Sequence, residues 1–453
     1  MDNLCVRVVL VVCLCGIFGC RNVPAVSTIG GQSGSGGIGT GGRPQTMVDA
    51  APGRYLLHTF TRQTLDTAFR AEGASFADLD RDGHNDLIAG SFWYRGPDFA
   101  NRVSYYEGRT FDGATSYSND FFIFTDDLDA DGWVDIVQIG FPGQETFWYR
   151  NPGAEALARV PSSAWQRHLI LSTTDNESPT YVDLTGDAKR ELVCIHKGDY
   201  GYATPFPGDP TAPWQFHRIS NDGGRINFTH GMGIGDVDGD GRQDLLERSG
   251  WWRQPTALAS DPVWERHPFE FSPWGGAQMF AFDVDGDGDN DVVTSLAAHG
   301  FGLAWFEQVA AGKEPFVKHD VLGDETTDNP FGIRFAELHA LALIDMDQDG
   351  LLDVVTGKRF WSHGPDGDPE GPNADAVLYW FRLTRSSRGV EFVPHRMDTD
   401  SGVGTQVVAG DVMGDGYPDV VISNKKGTFI IAHTATDVSY DAWRAAEPTR
   451  LRP

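Results

Sequence analysis

A short acidic loop recurs along this chain, and it is the densest piece of chemistry in the sequence. Asp283, Asp285, Asp287 and Asp291 stand at positions 1, 3, 5 and 9 of a DxDxDGxxD segment. Alternate residues in a tight loop turn their carboxylates to one side, and Gly288 at position 6 permits the sharp bend. Such an oxygen cage suits Ca2+, which takes roughly six to eight oxygen ligands. The same four carboxylates recur as Asp78, Asp80, Asp82, Asp86; Asp127, Asp129, Asp131, Asp135; Asp236, Asp238, Asp240, Asp244; and Asp345, Asp347, Asp349, Asp353. Two copies are degenerate. One has Asp183, Asp187 and Glu191, with Thr185 at position 3 and Ala188 in place of the glycine. The other has Asp411, Asp415 and Asp419, with Met413 at position 3. Without a cation, four like charges at close range repel, so bare turns are disfavoured. About five structural Ca2+ sites are expected, one per complete loop. These loops close at position 9 and run into Val, Ile or Leu, which makes them hairpin loops rather than helix-flanked EF-hands.

A second group of reactive side chains follows the apolar run after the third to seventh acidic loops. It comprises His196 and Lys197; Arg248, then Trp251 and Arg253; His299; Lys358, Arg359, Trp361 and His363; and Lys425 with Lys426. Six residues before an acidic loop stand His230 and His339, with Glu72 and Glu177 at the equivalent places in other copies. Lys and Arg suit a carboxylate, Trp a sugar face and His proton transfer. His230, His299 and His339 are candidate bases, with Lys358 or Arg359 to stabilise an enolate. His196, Lys197, Trp251, Arg253, Trp361, His363, Lys425 and Lys426 are candidate ligand contacts.

The elements that must position these groups follow from the repeat. The seven loops start at 78, 127, 183, 236, 283, 345 and 411. Each is preceded by an apolar strand and followed by a β-branched strand and an aromatic strand, and the second to sixth continue into a short segment with a central His, as in Trp264-Glu-Arg-His267. Four strands at this spacing form a propeller blade. The expected fold is all-β: a seven-bladed β-propeller of four-stranded blades over residues 51–440, with a C-terminal tail over 441–453. Tyr55 to Phe60 reads as a fourth strand with no blade of its own, and the last repeat lacks one, so the N-terminal strand closes the ring. Acidic loops then occupy one face and the cationic group the opposite funnel mouth, a natural ligand site. The His of each fourth strand reads as a repeated structural hydrogen bond. The long turn-rich connection over 357–379 is placed to cover the funnel.

The seven acidic loops resemble FG-GAP/VCBS repeats, the calcium-loop propeller repeats also seen in integrin α-chain heads. That resemblance implies a calcium-binding propeller of a kind used for adhesion, recognition and sugar chemistry. The repeat wording, WxRHxI followed by an apolar strand and DxDGDG, is also similar to the propeller domain of aldos-2-ulose dehydratase, which implies a carbohydrate dehydration.

Residues 8–18 are an unbroken apolar run after Arg7, too short to span a bilayer. With Cys20 the segment resembles a bacterial lipobox, so residues 1–19 are expected to be a lipoprotein-type signal peptide and Cys20 the lipidated residue. Residues 20–50 are a Gly/Ser-rich tether. The implied location is a bacterial outer membrane or cell surface, with periplasm or secretion as second choice. The only cysteine outside the leader is Cys194, in an apolar run, which reads as a buried, inert thiol.

The chain has 453 residues and a net charge of -28. The seven loops hold 26 of its 64 acidic residues, so much of the charge is a metal inventory. That balance excludes a general nucleic-acid binder and an electrostatic grip on anionic lipid. No HExxH, GxSxG or P-loop sequence is present. Two functions remain. One is a monomeric surface propeller that binds a glycan, an anionic polymer or a protein. The other is a sugar-active lyase or dehydratase that uses the funnel His, Lys and Arg.

Overall fold

The computed structural model describes residues 54–159, 164–309 and 316–451. The expected signal segment, Cys20 and the tether lie outside the described residues.

Each repeat folds as anticipated into antiparallel strands in sequence order. Thr180–Val182, Glu191–His196, Asp199–Thr204 and Gln215–Arg218 make one such sheet. The first strand of each sheet lies innermost. Ala74–Ala77 is buried throughout and adjoins both Phe122–Asp126 and Asp419–Asn424. The first and last sheets therefore meet, as a closed propeller arrangement requires. Apolar side chains that alternate along the strands pack between neighbouring sheets. Val137, Trp148, Leu192 and Ala203 form part of one such core, and Val355, Trp380, Val420 and Ile431 part of another. Each fully buried large apolar side chain contributes about 1.5–3 kcal/mol. Cys194 lies in the first of these cores, and burial pushes its thiol well up.

The expected count of seven separate blades is corrected. Among the described residues, five sheets have four strands each and one has eight. The eight-stranded sheet joins the strands around the fourth and fifth acidic loops. Met232–Gly235 and Gln278–Phe282 pair in parallel, with Gly233 opposite Met279. A Cβ on Gly233 would lie 1.8 Å from the Met279 carbonyl oxygen. Only glycine lets the two backbones approach this closely.

The N-terminal strand is the outer strand of the last sheet. It runs over Tyr55–Asp66, longer than the segment read from the sequence, and pairs antiparallel with Gly427–Val438. Residues expected as a tail carry a helix, Tyr440–Ala446, capped by the Ser439 hydroxyl. Its Tyr440 and Trp443 rings lie 5.0 and 5.4 Å from that of Tyr55, so the helix covers the clasp.

The repeated fourth-strand His makes ring stacking its common contact, which corrects the expected hydrogen bond. His168 stacks on Trp148, His217 on Tyr202, His267 on Trp251, His319 on Trp305 and His395 on Trp380, at 4.2–4.8 Å. The aromatic partner is always on the adjacent third strand. Of these five, His217 and His319 also hydrogen-bond a carboxylate, Asp261 and Glu307, and His267 Nε2 lies 3.8 Å from Glu265.

Candidate functional site

The acidic loops fold as cages. In four of them one oxygen from positions 1, 3 and 9 lies within 4.8 Å of the others: Asp78, Asp80, Asp86; Asp127, Asp129, Asp135; Asp236, Asp238, Asp244; and Asp283, Asp285, Asp291. Position 5 turns to the loop backbone, as where Asp82 accepts from the His84 N–H. Position 9 opens the second strand and holds the hairpin shut. Asp86 accepts from the Leu79 and Gly96 N–H groups, and Asp135 from those of Leu128 and Asn151. Burial, with the neighbouring carboxylates adding, pushes Asp86 and Asp291 up to about 7 and Asp135 and Asp244 up to about 8.

The donor set fits a hard cation. All donors are oxygens, and Asp80 Oδ1 and Asp238 Oδ1 are buried without a partner. In three loops an arginine that ends the third strand pairs with position 3: Arg95 with Asp80, Arg150 with Asp129 and Arg253 with Asp238. The degenerate third loop substitutes Glu191, which reaches back to the Leu184 and Thr185 N–H groups.

A second cluster sits at the ring centre. His230 Nε2 and His299 Nε2 are 2.7 Å apart. The His339 ring lies 4.9 Å from that of His230 and 5.0 Å from that of His299. Burial first, and neighbouring cations and imidazoles next, hold His339 well below the ordinary range. The same causes, opposed by Glu177, bring His230 to about 4 and His299 to about 3. All three are neutral imidazoles near pH 7. Arg359, buried beneath them, donates to Glu72 and Glu177 and contacts His339 Nε2 at 2.7 Å. Glu337 accepts from the Ser362 hydroxyl and lies 3.6 Å from His299 Nδ1.

Toward the surface the His363 ring lies 4.3 Å from that of His299, and its Nδ1 lies 3.1 Å from the Tyr117 hydroxyl. Lys425 sits 4.4 Å over the Tyr117 ring and donates to the Trp361 carbonyl. Burial lowers its ammonium to about 8. His299 also forms part of the wall of an adjoining cavity of about 840 Å3, with Trp274, Phe301, Lys318, Asp324 and Asp328. Trp274 is 78% exposed.

The ring centre thus brings together His230, His299, His339, Arg359 and His363, with Lys425 at the edge. Other candidates fall elsewhere. Trp251 is core, stacked on His267, because its side chain points between the sheets. Arg253 is on the acidic-loop face, since it ends the third strand at the loop end of the sheet. Lys358 is fully buried between Asp368 and Glu370, which ties it into the long connection and leaves no free ammonium for an enolate. His196 hydrogen-bonds the Thr173 carbonyl at 2.8 Å, and Lys197 points to solvent. Lys426 pairs with Asp400. The Trp361 indole donates to the Pro372 carbonyl within the long connection.

Sequence reasoning missed Glu337, Ser362, Tyr117 and Trp274. Trp274 had a signal: it lies between a fourth strand and the next first strand, where such loops open on the funnel face. Also missed was a staple that follows the third strand. The side-chain amides of Asn151, Gln254 and Gln308 each donate to a carbonyl in the preceding repeat's acidic loop or just beyond its start, those of Leu79, Leu184 and Val237.

Residues 345–422 match the family model of the FG-GAP-like repeat. No curated protein matches the chain. Among solved structures it is similar to the rhamnogalacturonan lyase YesW, at 13% identity and a TM-score of 0.40, over 86% of this chain and 74% of that one. It is also similar to an Agrocybe aegerita lectin specific for non-reducing terminal N-acetylglucosamine, at 14% identity and a TM-score of 0.38, over 85% and 86%. A third is the V. cholerae biofilm matrix protein Bap1, at 9% identity and a TM-score of 0.39, over 85% and 89%. By the match over residues 345–422 and its own sheet order, the chain carries an FG-GAP-like repeat in an all-β propeller arrangement.

Proposed function

We propose that this protein is an exported, surface-tethered propeller, stiffened by Ca2+ in its acidic loops, that takes an anionic carbohydrate at the funnel face. The observation that carries this reading is the cavity beside His299. It presents a solvent-facing indole, Trp274, and opens next to the cluster edged by the Lys425 ammonium, while its own Lys318 is paired with Asp320. An exposed aromatic face is a platform for a pyranose ring, and an ammonium group recognises its carboxylate. The Ca2+ would be held by positions 1, 3 and 9 of the complete loops, where it would neutralise like charges and fix the hairpins.

A second reading is a carbon–oxygen lyase acting on the same kind of sugar. It is favoured by the contact of His230, His299 and His339, whose neutral rings can accept a proton α to a carboxylate. Arg359 is held by Glu72 and Glu177, as Lys358 is by Asp368 and Glu370, so the cation left to offset the developing charge is Lys425 at the cluster edge. Incubation with uronate polysaccharides separates the two. Binding without ultraviolet-absorbing unsaturated product supports recognition. Product formation that stops in His299→Ala supports the lyase. Neither binding nor product with any uronate defeats both.

A further inference from the structure

We propose that the ligand of the funnel face is a linear uronate oligosaccharide that crosses the ring centre and fills two subsites, the cavity beside His299 and a second one walled by Arg109, Phe111, Tyr117 and Phe141. The proposal rests on the functional reading above and specifies the size of that ligand. The second cavity measures about 370 Å3. Both cavities fall within the roughly 300–1,000 Å3 usual for ligand pockets. The second opens where the first repeat joins the second, and the larger one lies around the fifth repeat. Ring order therefore sets the two on opposite sides of the centre.

Arg109 supplies the charge in the second cavity. Its guanidinium lies 4.7 Å over the Phe111 ring and, among the described residues, pairs with no carboxylate. The carboxylate in the cavity wall, Asp112, is taken by the Ala114 N–H and the Thr115 hydroxyl. In a chain of net charge -28, a guanidinium left unpaired is available to the carboxylate of a ligand. The rings around it are fixed. Phe111 donates its N–H to the Phe69 carbonyl at 2.9 Å, and the two rings lie 5.7 Å apart. Tyr117 lies 5.5 Å from Phe141, which meets Phe228 at 5.2 Å. The side-chain amides of Asn119 and Gln144 line the same cavity and have no partner among the described residues. Aromatic walls with a few convergent polar groups suit a pyranose and its hydroxyls.

Side chains in contact join the two cavities. Tyr117 belongs to the second wall, and its hydroxyl lies 3.1 Å from His363 Nδ1. The exposed His363 ring lies 4.3 Å from that of His299, which belongs to the first wall. Lys425, 4.4 Å over the Tyr117 ring, places a cation along this path. Aromatic rings at both ends, with cations at one end and on the path between, match a chain that carries a carboxylate on every sugar. A monosaccharide can fill only one cavity. A chain that fills both makes its second contact intramolecular, which raises affinity without strengthening either contact.

The test titrates the Ca2+-loaded full chain with saturated galacturonate oligomers, from monomer to octamer. Affinity should rise by at least about tenfold at the length that first reaches the second cavity. Arg109→Ala should weaken octamer binding by at least about fivefold and leave digalacturonate binding unchanged. Trp274→Ala should weaken both. Arg388→Ala removes an exposed cation from the turn between Leu378–Ser386 and Gly389–Asp398, on the acidic-loop face, and should change neither. An octamer that binds no more tightly than digalacturonate overturns the proposal, and so does an Arg109→Ala loss that is equal for the two ligands. Both results leave the functional reading standing, because the short ligand still binds. Failure to bind at every length defeats the functional reading itself, and the second subsite with it.

Discussion

Replacing Arg359 with Met is the sharpest probe of the ring centre. The guanidinium is 2% exposed and faces Glu72 and Glu177, which are 1% and 6% exposed. Methionine keeps much of the volume and removes the charge, which leaves two carboxylates buried without their cation. Breaking a buried pair from one side costs about 3–5 kcal/mol. Unfolding entropy of about 2.1 cal/mol/K per residue, over the roughly 390 described residues, gives about 0.8 kcal/mol per degree. The expected drop in melting temperature is therefore about 4–6 °C by calorimetry. Burial already raises the Glu72 carboxyl, chiefly against the pull of Arg359. Without that arginine it rises further, so the loss should be smaller in mild acid, where Glu72 takes a proton. Adding Glu72→Gln and Glu177→Gln to Arg359→Met should recover most of the stability. An unchanged melting temperature in the single variant, or a lower one in the triple, would refute the reasoning.

Gly233→Val should split the parallel joint, because its Cβ would meet the Met279 carbonyl oxygen. Amide exchange should then speed up over Met232–Gly235 and Gln278–Phe282 while the Tyr55–Asp66 strand stays protected. Burial, with Arg382 and His58 nearby, lowers His395 to about 3 from 6.5. It stays neutral when folded, so its stabilising effect is complete above about pH 6.5 and lost by about 1.4 kcal/mol per pH unit as pH falls toward 3. Urea midpoints of the protein and of His395→Phe at neutral and mildly acid pH should show the variant less acid-sensitive. Chelation should lower the melting temperature. With the metal removed, carboxylates raised to about 7–8 at position 9 are stabilising when protonated, and that stability is lost as pH rises from about 4 through 8. Chelated protein should thus melt lower in mild alkali than in mild acid, and Ca2+-loaded protein should not.

The sequence made the loops and strands legible because their chemistry is local. Four aspartates at fixed spacing need only their own hairpin, and the period exposes the blade. Blade separation was not legible, since Gly233 gives no sign of which backbone will approach it. The ring centre was half legible. His230, His299, His339 and Arg359 were identified by their register at strand ends, and all four meet. Trp251 and Arg253 were misplaced because side chains along a strand alternate between faces and its ends lie on opposite rims, which a one-dimensional list does not resolve. Glu337 and Ser362 were missed because their role depends on partners 25 residues apart. The N-terminal clasp was legible because one surplus strand matched one missing strand.

Calorimetric titration of galacturonate oligosaccharides into Ca2+-loaded protein tests the central claim most directly. The account predicts saturable binding that weakens at least about tenfold, or about 1.4 kcal/mol, in Trp274→Ala. Lys197→Ala, on an exposed turn, should leave affinity unchanged. Affinity that survives Trp274→Ala intact, or no heat from any uronate oligomer, would contradict it.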